Sequence, residues 1–466
     1  MTPLKGDSAL RRPAALNRLG RQGYTRRRQL ALGTGGLGAL AAGALGACGP
    51  LAGTETPEAR TSTPVKLTTV LHNSNAKRIY EEHFPEFKEK YPHVDAEWVL
   101  SSAIQGKEGH EKKIATLIVA GTPPDVFIPW MQPGGAFLAR GWAAPIDATA
   151  IGFKSVNQVL DQYAWREALD IARWQGKHYG LPNEVSNYCL YLNNQLFRKA
   201  GLDPEKDWPK TWEDMVEVAQ RLTIREGSEI TQRGYRIRVE SPHLTWGGQA
   251  YQVMGHWLKA DSRKVAINTP GAIQTLQYWR DWHHVHRLGS PELAKKDTFR
   301  QGTLAMTTYG SWYASGVKKN APDIYRDYSV RPFPRFRNKK HDHGTHNYGY
   351  ALLVSSQVPP ERQKAAWQLS WFSTFNFPDD HMQEGGLFIP TKPYVNSAAF
   401  KEFSDPPLTV FLEDMKQSTY FPTTPHFDEI TDVLNESFAK AWQDGQAAKD
   451  ALDEAQRRLS EVVSAG

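Results

Sequence analysis

Apolar positions along the chain change period several times, and each change marks an element. In VKLTTVLH, residues 65–72, Val65, Leu67, Thr69 and Leu71 fall on one face of a period-two pattern, which predicts a strand. A helical stretch follows from Asn75 to Tyr91 and stops at Pro92. VDAEWVL predicts a second strand, with Val94, Ala96, Trp98 and Leu100 on one face. Lys107 to Ala120 reads as a helix closed by Gly121, the residue type that best tolerates the left-handed backbone of a helix end. DVFIPW, residues 125–130, is a third strand. This alternation predicts an α/β domain with a parallel sheet. Ligands bind outside the carboxyl ends of the strands in such sheets. Trp130 stands at one of those ends.

Further on, YCLYLNNQLFRKAGLD predicts a strand and a short helix ending at Gly201. Thr211 followed by Asp214 fits a capping box ahead of a helix whose apolar face is Met215, Val218, Ala219 and Leu222. Thr269–Arg287 reads as a helix, TLAMTTYG as a strand, and residues 350–374 as a strand, a proline turn and a helix. The last 40 residues carry helical spacing at Ile430, Val433, Leu434, Phe438 and Trp442. There is no internal repeat.

One apolar run has a different meaning. Leu30–Ala47 is uncharged and long enough to approach a membrane span, but it is mostly glycine and alanine and follows Arg26-Arg27-Arg28. Arginines, a weak apolar stretch and small residues before a cut site are the layout of an export signal. Thr25–Leu30 resembles a twin-arginine motif, with Gln29 where Phe is usual. Leu45-Gly46-Ala47-Cys48 resembles a bacterial lipobox, which implies lipidation of Cys48 and a protein tied to the membrane from outside. Residues 49–64, rich in Pro, Thr and Gly, read as a flexible tether.

That leader changes the charge picture. The whole chain is +6, but residues 1–30 hold eight Lys/Arg against Asp7, or +7, which leaves −1 for the rest. A nucleic-acid partner would need a basic surface and is excluded on that ground. With Cys48 assigned to lipid, Cys189 has no partner in the chain and reads as a buried free thiol. The exported fold therefore holds without disulfides.

Six stretches, in order, carry a resemblance covering residues 65 to 460. They are AGTPPDVFI (120–128), GKHYGLP (176–182), LYLNNQLFRKAGLD with PKTWEDM (190–215), VAINTPGAIQTLQYWRDW (265–282), FRQGTLAMTTYGSW (299–312) and RPFPRF (331–336). Together they resemble the extracellular solute-binding proteins of bacterial ABC importers, in the group that includes maltose-binding protein. The resemblance implies an α/β fold of two discontinuous lobes joined by a hinge. Residues 1–47 would be the signal peptide, 48–64 the anchor and tether, 65–184 the first part of lobe 1, and 185–347 the main part of lobe 2. Residues 348–390 would return to lobe 1, and 391–466 would form a helical segment mainly on lobe 2. The hinge crossings are expected near Glu184–Ser186 and Asn347–Ala351. Such proteins close over a ligand that contacts both lobes, since only differential affinity shifts the equilibrium.

The implied ligand is a carbohydrate, an oligosaccharide, delivered to ABC permease subunits by a monomeric binding protein that needs no cofactor or metal. A flat aromatic ring removes the C–H face of a sugar from water, and planar polar groups pair its hydroxyls. Micromolar affinity requires about 8 kcal/mol. The resemblance places Trp312 at the family's stacking tryptophan, with Tyr309 and Tyr313 beside it. Tyr348, Tyr350 and Asn347 fall at the second crossing, Glu184 at the first, and Trp246 on the second lobe; with Trp130 these are the candidate ligand-binding residues.

Two rivals are weaker. A phosphorylated solute such as a glycerophosphodiester would need cations in the cleft, for which Arg173, Arg238 and Lys392 are available. A hydrolase would need a nucleophile with a base, a carboxylate pair or a metal, and no G-x-S-x-G, H-E-x-x-H or P-loop pattern is present. The histidines of HHVH (283–286) and HDHGTH (341–346) read as solvated side chains, not metal ligands.

Overall fold

The first three strands pair in parallel because a helix follows each of the first two and returns the chain to the same edge. The structure is a computed structural model describing residues 64–103, 109–258, 264–289, 298–383, 388–402 and 408–464. The expected signal, Cys48 and the tether up to residue 63 lie outside these residues. The strands are β1 (Val65–Leu71), β2 (Val94–Leu100), β3 (Val126–Phe127), β4 (Arg173–Trp174), β5 (Lys177–His178) and β6 (Gly180–Ser186). They continue with β7 (Cys189–Asn193), β8 (Ile224–Glu226), β9 (Glu229–Tyr235), β10 (Leu304–Tyr309), β11 (Tyr328–Arg331) and β12 (Tyr348–Val354). One five-stranded sheet has the order β2-β1-β3-β12-β6, the other β11-β7-β10-β9-β8, and β4 pairs with β5.

Local chemistry sets the helix ends. Asn73 caps the helix Ser74–Lys90 by accepting from the Asn75 N–H at 2.8 Å, and Lys88 and Lys90 sit at its negative end. Thr211 accepts from the Asp214 N–H at 3.1 Å and starts the helix Trp212–Leu222. That helix buries Trp212, Met215, Ala219 and Leu222, while Val218 is half-buried. Gly121 follows the helix His110–Val119 with φ +77°, a conformation that favours glycine. The sheet around β1 is parallel only for β2-β1-β3. Strand β12 runs antiparallel to both β3 and β6, because it enters from the other sheet instead of through a crossover helix.

Each sheet has its own core. Leu67, Ile79, Phe87, Val94, Val126, Leu352 and Trp367 fill the first. Leu190, Trp212, Met215, Trp246, Trp279, Met306 and Phe438 fill the second. At about 1.5–3 kcal/mol for each large apolar side chain buried, either set is enough to define a lobe. A third cluster joins Phe127 and Leu353 of the first sheet to Tyr191 and Leu304 of the second, and to Phe388, Phe411 and Met415. Cys189 belongs to it as a buried free thiol. Among the described residues no helix is long and apolar enough to cross a membrane.

The chain passes between the lobes three times. Asn187 and Tyr188 alone separate β6 from β7, and residues 332–347 return from β11 to β12. The third passage follows the helix Pro360–Phe375 on the first sheet and leads to helices Phe427–Trp442 and Ala448–Ser464 in the second core. Buried polar groups tie the passages together. Asn187 Nδ2 donates to Asp414 at 2.8 Å, and Arg335 Nη2 donates to the other Asp414 oxygen at 2.6 Å. Asn347 Nδ2 donates to the carbonyls of Met415 and Ser418 at 2.9 and 3.1 Å, and its backbone N–H to Thr419. His343 Nε2 accepts from the Thr419 N–H at 3.0 Å. His343 and His346, read from the sequence as solvated, are therefore buried parts of this hinge, because their loop folds onto residues 415–421.

A buried carboxylate is tolerated only when paired, so Asp414 holds the first, second and third passages to one another. Asp414→Ala would leave Arg335 with the half-exposed Asp342 and strand the Asn187 amide. Urea unfolding is expected to show a loss of about 3–5 kcal/mol. A loss under 1 kcal/mol would mean that this residue does not tie the passages.

Candidate ligand-binding cleft

Strand β12 leaves the hinge with Tyr348 and Tyr350 on one face, two residues apart, and so lays a row of phenols across the junction of the lobes. Gly349 lies between them. A Cβ there would strike the carbonyl of Glu184, so glycine is what allows β12 and β6 to pair closely at this point.

On the lobe 1 side, Tyr350 stacks on His72, with ring centroids 3.8 Å apart and planes 9° apart. His72 is the first residue beyond β1, and His110 meets it edge-on at 5.5 Å. Glu184 is paired with Tyr350 across the strands, and its carboxylate is 3.9 Å from His72 Nε2. Burial pushes the Glu184 carboxyl up to about 7 and, with His110 nearby, holds the His72 imidazole down to about 3. The two are therefore not a salt bridge near neutrality. They form a neutral imidazole beside a carboxyl that burial raises toward neutrality. Trp130 follows β3, and its N–H donates to Glu111 at 3.0 Å. Its ring packs edge-on against Phe427 and tilted against His243, so it reaches from lobe 1 to the C-terminal helices.

On the lobe 2 side, Trp312 follows β10 and is 37% exposed, one of few large apolar side chains so open. Its indole N–H donates to the Tyr348 hydroxyl at 2.8 Å, which fixes the plane of the ring. Gly310 makes this possible, since a Cβ there would meet both groups. Tyr309 lies edge-on to Trp312 and stacks on Tyr313 at 3.9 Å. Arg238, just beyond β9, lays its guanidinium 4.2 Å from the Tyr309 ring centre and 4.7 Å from that of Tyr188. Tyr188 in turn meets Tyr348 edge-on at 5.3 Å.

The structure thus brings Glu184, Tyr309, Trp312, Tyr348 and Tyr350 into one region, with Trp130 at its edge. Three other candidates are held elsewhere. Trp246 is fully enclosed in the second core against Phe438 and Trp257. Tyr313 is 3% exposed, with its ring packed on Tyr191 and Tyr309. Asn347 is fully buried, with its Nδ2 donating to the hinge carbonyls. Of the cations considered for a phosphate, Arg173 pairs with Asp170 at the surface, Lys392 is exposed, and only Arg238 lies in this region. The sequence reading missed His72 and Tyr188. His72 was findable, since it sits directly at the carboxyl end of β1. A separate cavity of about 970 Å³, lined by Trp165, Asp170, Arg173, His256 and residues 416–423, contains none of the candidate sugar-binding side chains. Among the described residues no group of three His, Cys, Asp or Glu side chains is placed to hold a metal ion.

A family description, bacterial extracellular solute-binding protein, matches residues 73–372. The chain belongs to that family. A binding protein of Brucella abortus is 22% identical over 404 residues, spanning 83% of this chain and 90% of its own length. Two solved structures share the fold. The cyclic α-maltosyl-1,6-maltose binding protein of Arthrobacter globiformis matches with TM-score 0.70 and 22% identity, over 86% of this chain and all of its own. UgpB of Mycobacterium tuberculosis in complex with glycerophosphocholine matches with TM-score 0.69 and 17% identity, over 87% and 99%. The fold is thus the two-lobe binding-protein type.

The raised Glu184 carboxyl gives a signed expectation. Its stabilising contribution is complete below about pH 4.5 and is lost as pH rises through about 7, because burial opposes only the ionised form. Relative to Glu184→Gln, the wild type should lose up to about 3 kcal/mol between pH 4 and pH 8. Parallel urea titrations of the two proteins across that range check it. The opposing pH dependence of His72 and the other buried histidines cancels in the difference.

Proposed function

We propose that the protein captures a carbohydrate between its two lobes and presents it to the subunits of an ABC permease, with Cys48 as the lipid-modified residue that ties it to the outer face of the cell membrane. The observation that carries this reading is the exposed Trp312 ring, fixed by Tyr348, two residues along β12 from Tyr350, which stacks on His72 and pairs with Glu184. An exposed indole held in one plane is suited to the C–H face of a pyranose. The neighbouring carboxyl, imidazole and phenols can pair the hydroxyls that stacking buries. Trp130, Glu184, Tyr309, Trp312, Tyr348 and Tyr350 are the side chains assigned to the solute. The ligand named for the Arthrobacter relative, a cyclic oligosaccharide, supports the same substrate class. The binding proteins of this family act as carriers, and the proposed output is capture without bond cleavage by a monomer.

The alternative is a phosphorylated solute. The glycerophosphocholine complex of the Mycobacterium tuberculosis relative and the place of Arg238 favour it. Mechanistically the two readings share one step: a solute that contacts both lobes stabilises the closed arrangement by the difference in its affinity for closed and open forms.

Titration calorimetry with maltose, cyclodextrins and arabino-oligosaccharides tests the reading. Trp312→Ala should weaken whichever of these binds by at least tenfold while leaving the melting temperature within a few degrees. Unchanged affinity would remove Trp312 from the site. Cys48→Ser should move the protein from the membrane fraction to the soluble fraction, and an unchanged distribution would remove the anchor.

A further inference from the structure

Arg238 carries a charge that its surroundings compensate only in part. Its side chain is 13% exposed, and Nε and Nη1 are sealed from solvent and donate to no protein acceptor. The nearest carboxylate, Glu240, is 3.9 Å from Nε, beyond hydrogen-bond reach, and it is held at 3.0 Å by Arg236. Two guanidinium groups therefore share one carboxylate. The other acids of the cleft add little. Glu184 is partly protonated near neutrality, and Glu111 is engaged by the Trp130 N–H. Tyr188 and Tyr309 offer the faces of their rings at 4.7 and 4.2 Å, which favours a cation without neutralising it. A buried, underpaired guanidinium is costly to keep, and a neutral sugar hydroxyl would answer only one of its donors and none of its charge.

We propose that the solute carries an oxyanion, a carboxylate or a phosphate, seated on Arg238 while its hydroxylated part lies across Trp312 and toward Tyr350. This rests on the cleft reading above and narrows it from carbohydrates in general to acidic polyhydroxy solutes. The chemistry fits the placement. Arg238 adjoins Tyr309 and Tyr188, Tyr188 adjoins Tyr348, and the Tyr348 hydroxyl accepts from the Trp312 indole, so the cation and the stacking ring are linked through shared neighbours. A planar guanidinium pairs with carboxylate or phosphate oxygens through parallel charge-assisted bonds, a geometry that lysine does not reproduce.

Calorimetry on the intact exported domain with matched pairs tests the proposal: galactobiose against digalacturonate, and glycerol against glycerophosphocholine, with inorganic phosphate as the bare anion. An acidic member bound at least tenfold more tightly than its neutral partner supports the proposal, and which pair shows the preference identifies carboxylate or phosphate as the source. In wild type that preference should shrink as sodium chloride is raised from 20 to 500 mM, a readout that needs no variant. Arg238→Gln should abolish the preference and Arg238→Lys should retain part of it, with circular dichroism confirming the fold of each. If neutral sugars bind as tightly as acidic ones, and equally in Arg238→Gln, the oxyanion is refuted and the carbohydrate reading stands. If none of the sugars and phosphodiesters binds, both are refuted.

Discussion

Everything that the cleft can do depends on the buried polar clasp at Asp414 and Asn347. The chain crosses between the lobes three times, and each crossing strips backbone and side-chain polar groups of water. The Asp414 carboxylate answers Asn187 of the first passage and Arg335 of the second, while Asn347 answers carbonyls of the third. Such groups must be paired or the hinge does not form. Because all three passages share these partners, they are fixed against one another, and the strands leaving them hold Glu184, Tyr348 and Tyr350 in constant register. Each sheet also keeps a core of its own beside the cluster that joins them.

Under the proposed reading, the geometry on either side of the clasp divides the labour of recognition. Lobe 1 contributes groups that are nearly neutral: a histidine kept deprotonated by burial, a carboxyl poised near neutrality, and a phenol stacked on the imidazole. Lobe 2 contributes the exposed indole and the guanidinium of Arg238. Neither half presents a complete site. A solute held by both gains more from the closed arrangement than from either lobe alone, which is the condition for ligand-driven closure.

How much of this was legible in the sequence follows from the range of the interactions involved. Local signals were accurate: the period-two faces of β1 and β2, the Thr211 cap and the glycine after the helix at Val119 all depend on residues a few positions apart. Trp312 and Glu184, proposed for the solute, were placed through ordered motifs. What was missed depends on distance. Asn347 looked like a hydrogen-bonding residue for a sugar, and it is one for the chain itself, because residues 415–419 fold back beside it. Trp246 was judged by its type, but the helix Thr245–Met254 turns it into the core against Phe438. His343 and His346 sit in a polar-looking loop, and no local pattern shows that the loop is covered. Arg238 was one of several cations until the tyrosines around it could be seen.

The central claim is that one small molecule bridges the two lobes across this clasp. Spin labels placed on an exposed residue of each lobe, such as Glu89 and Arg221, allow the distance between them to be measured by pulsed electron resonance, free and with a saturating solute identified by calorimetry. The account requires the distribution to shift and narrow on binding, and requires Trp312→Ala to need far more solute for the same shift. A solute that binds tightly while the distribution stays unchanged would contradict it.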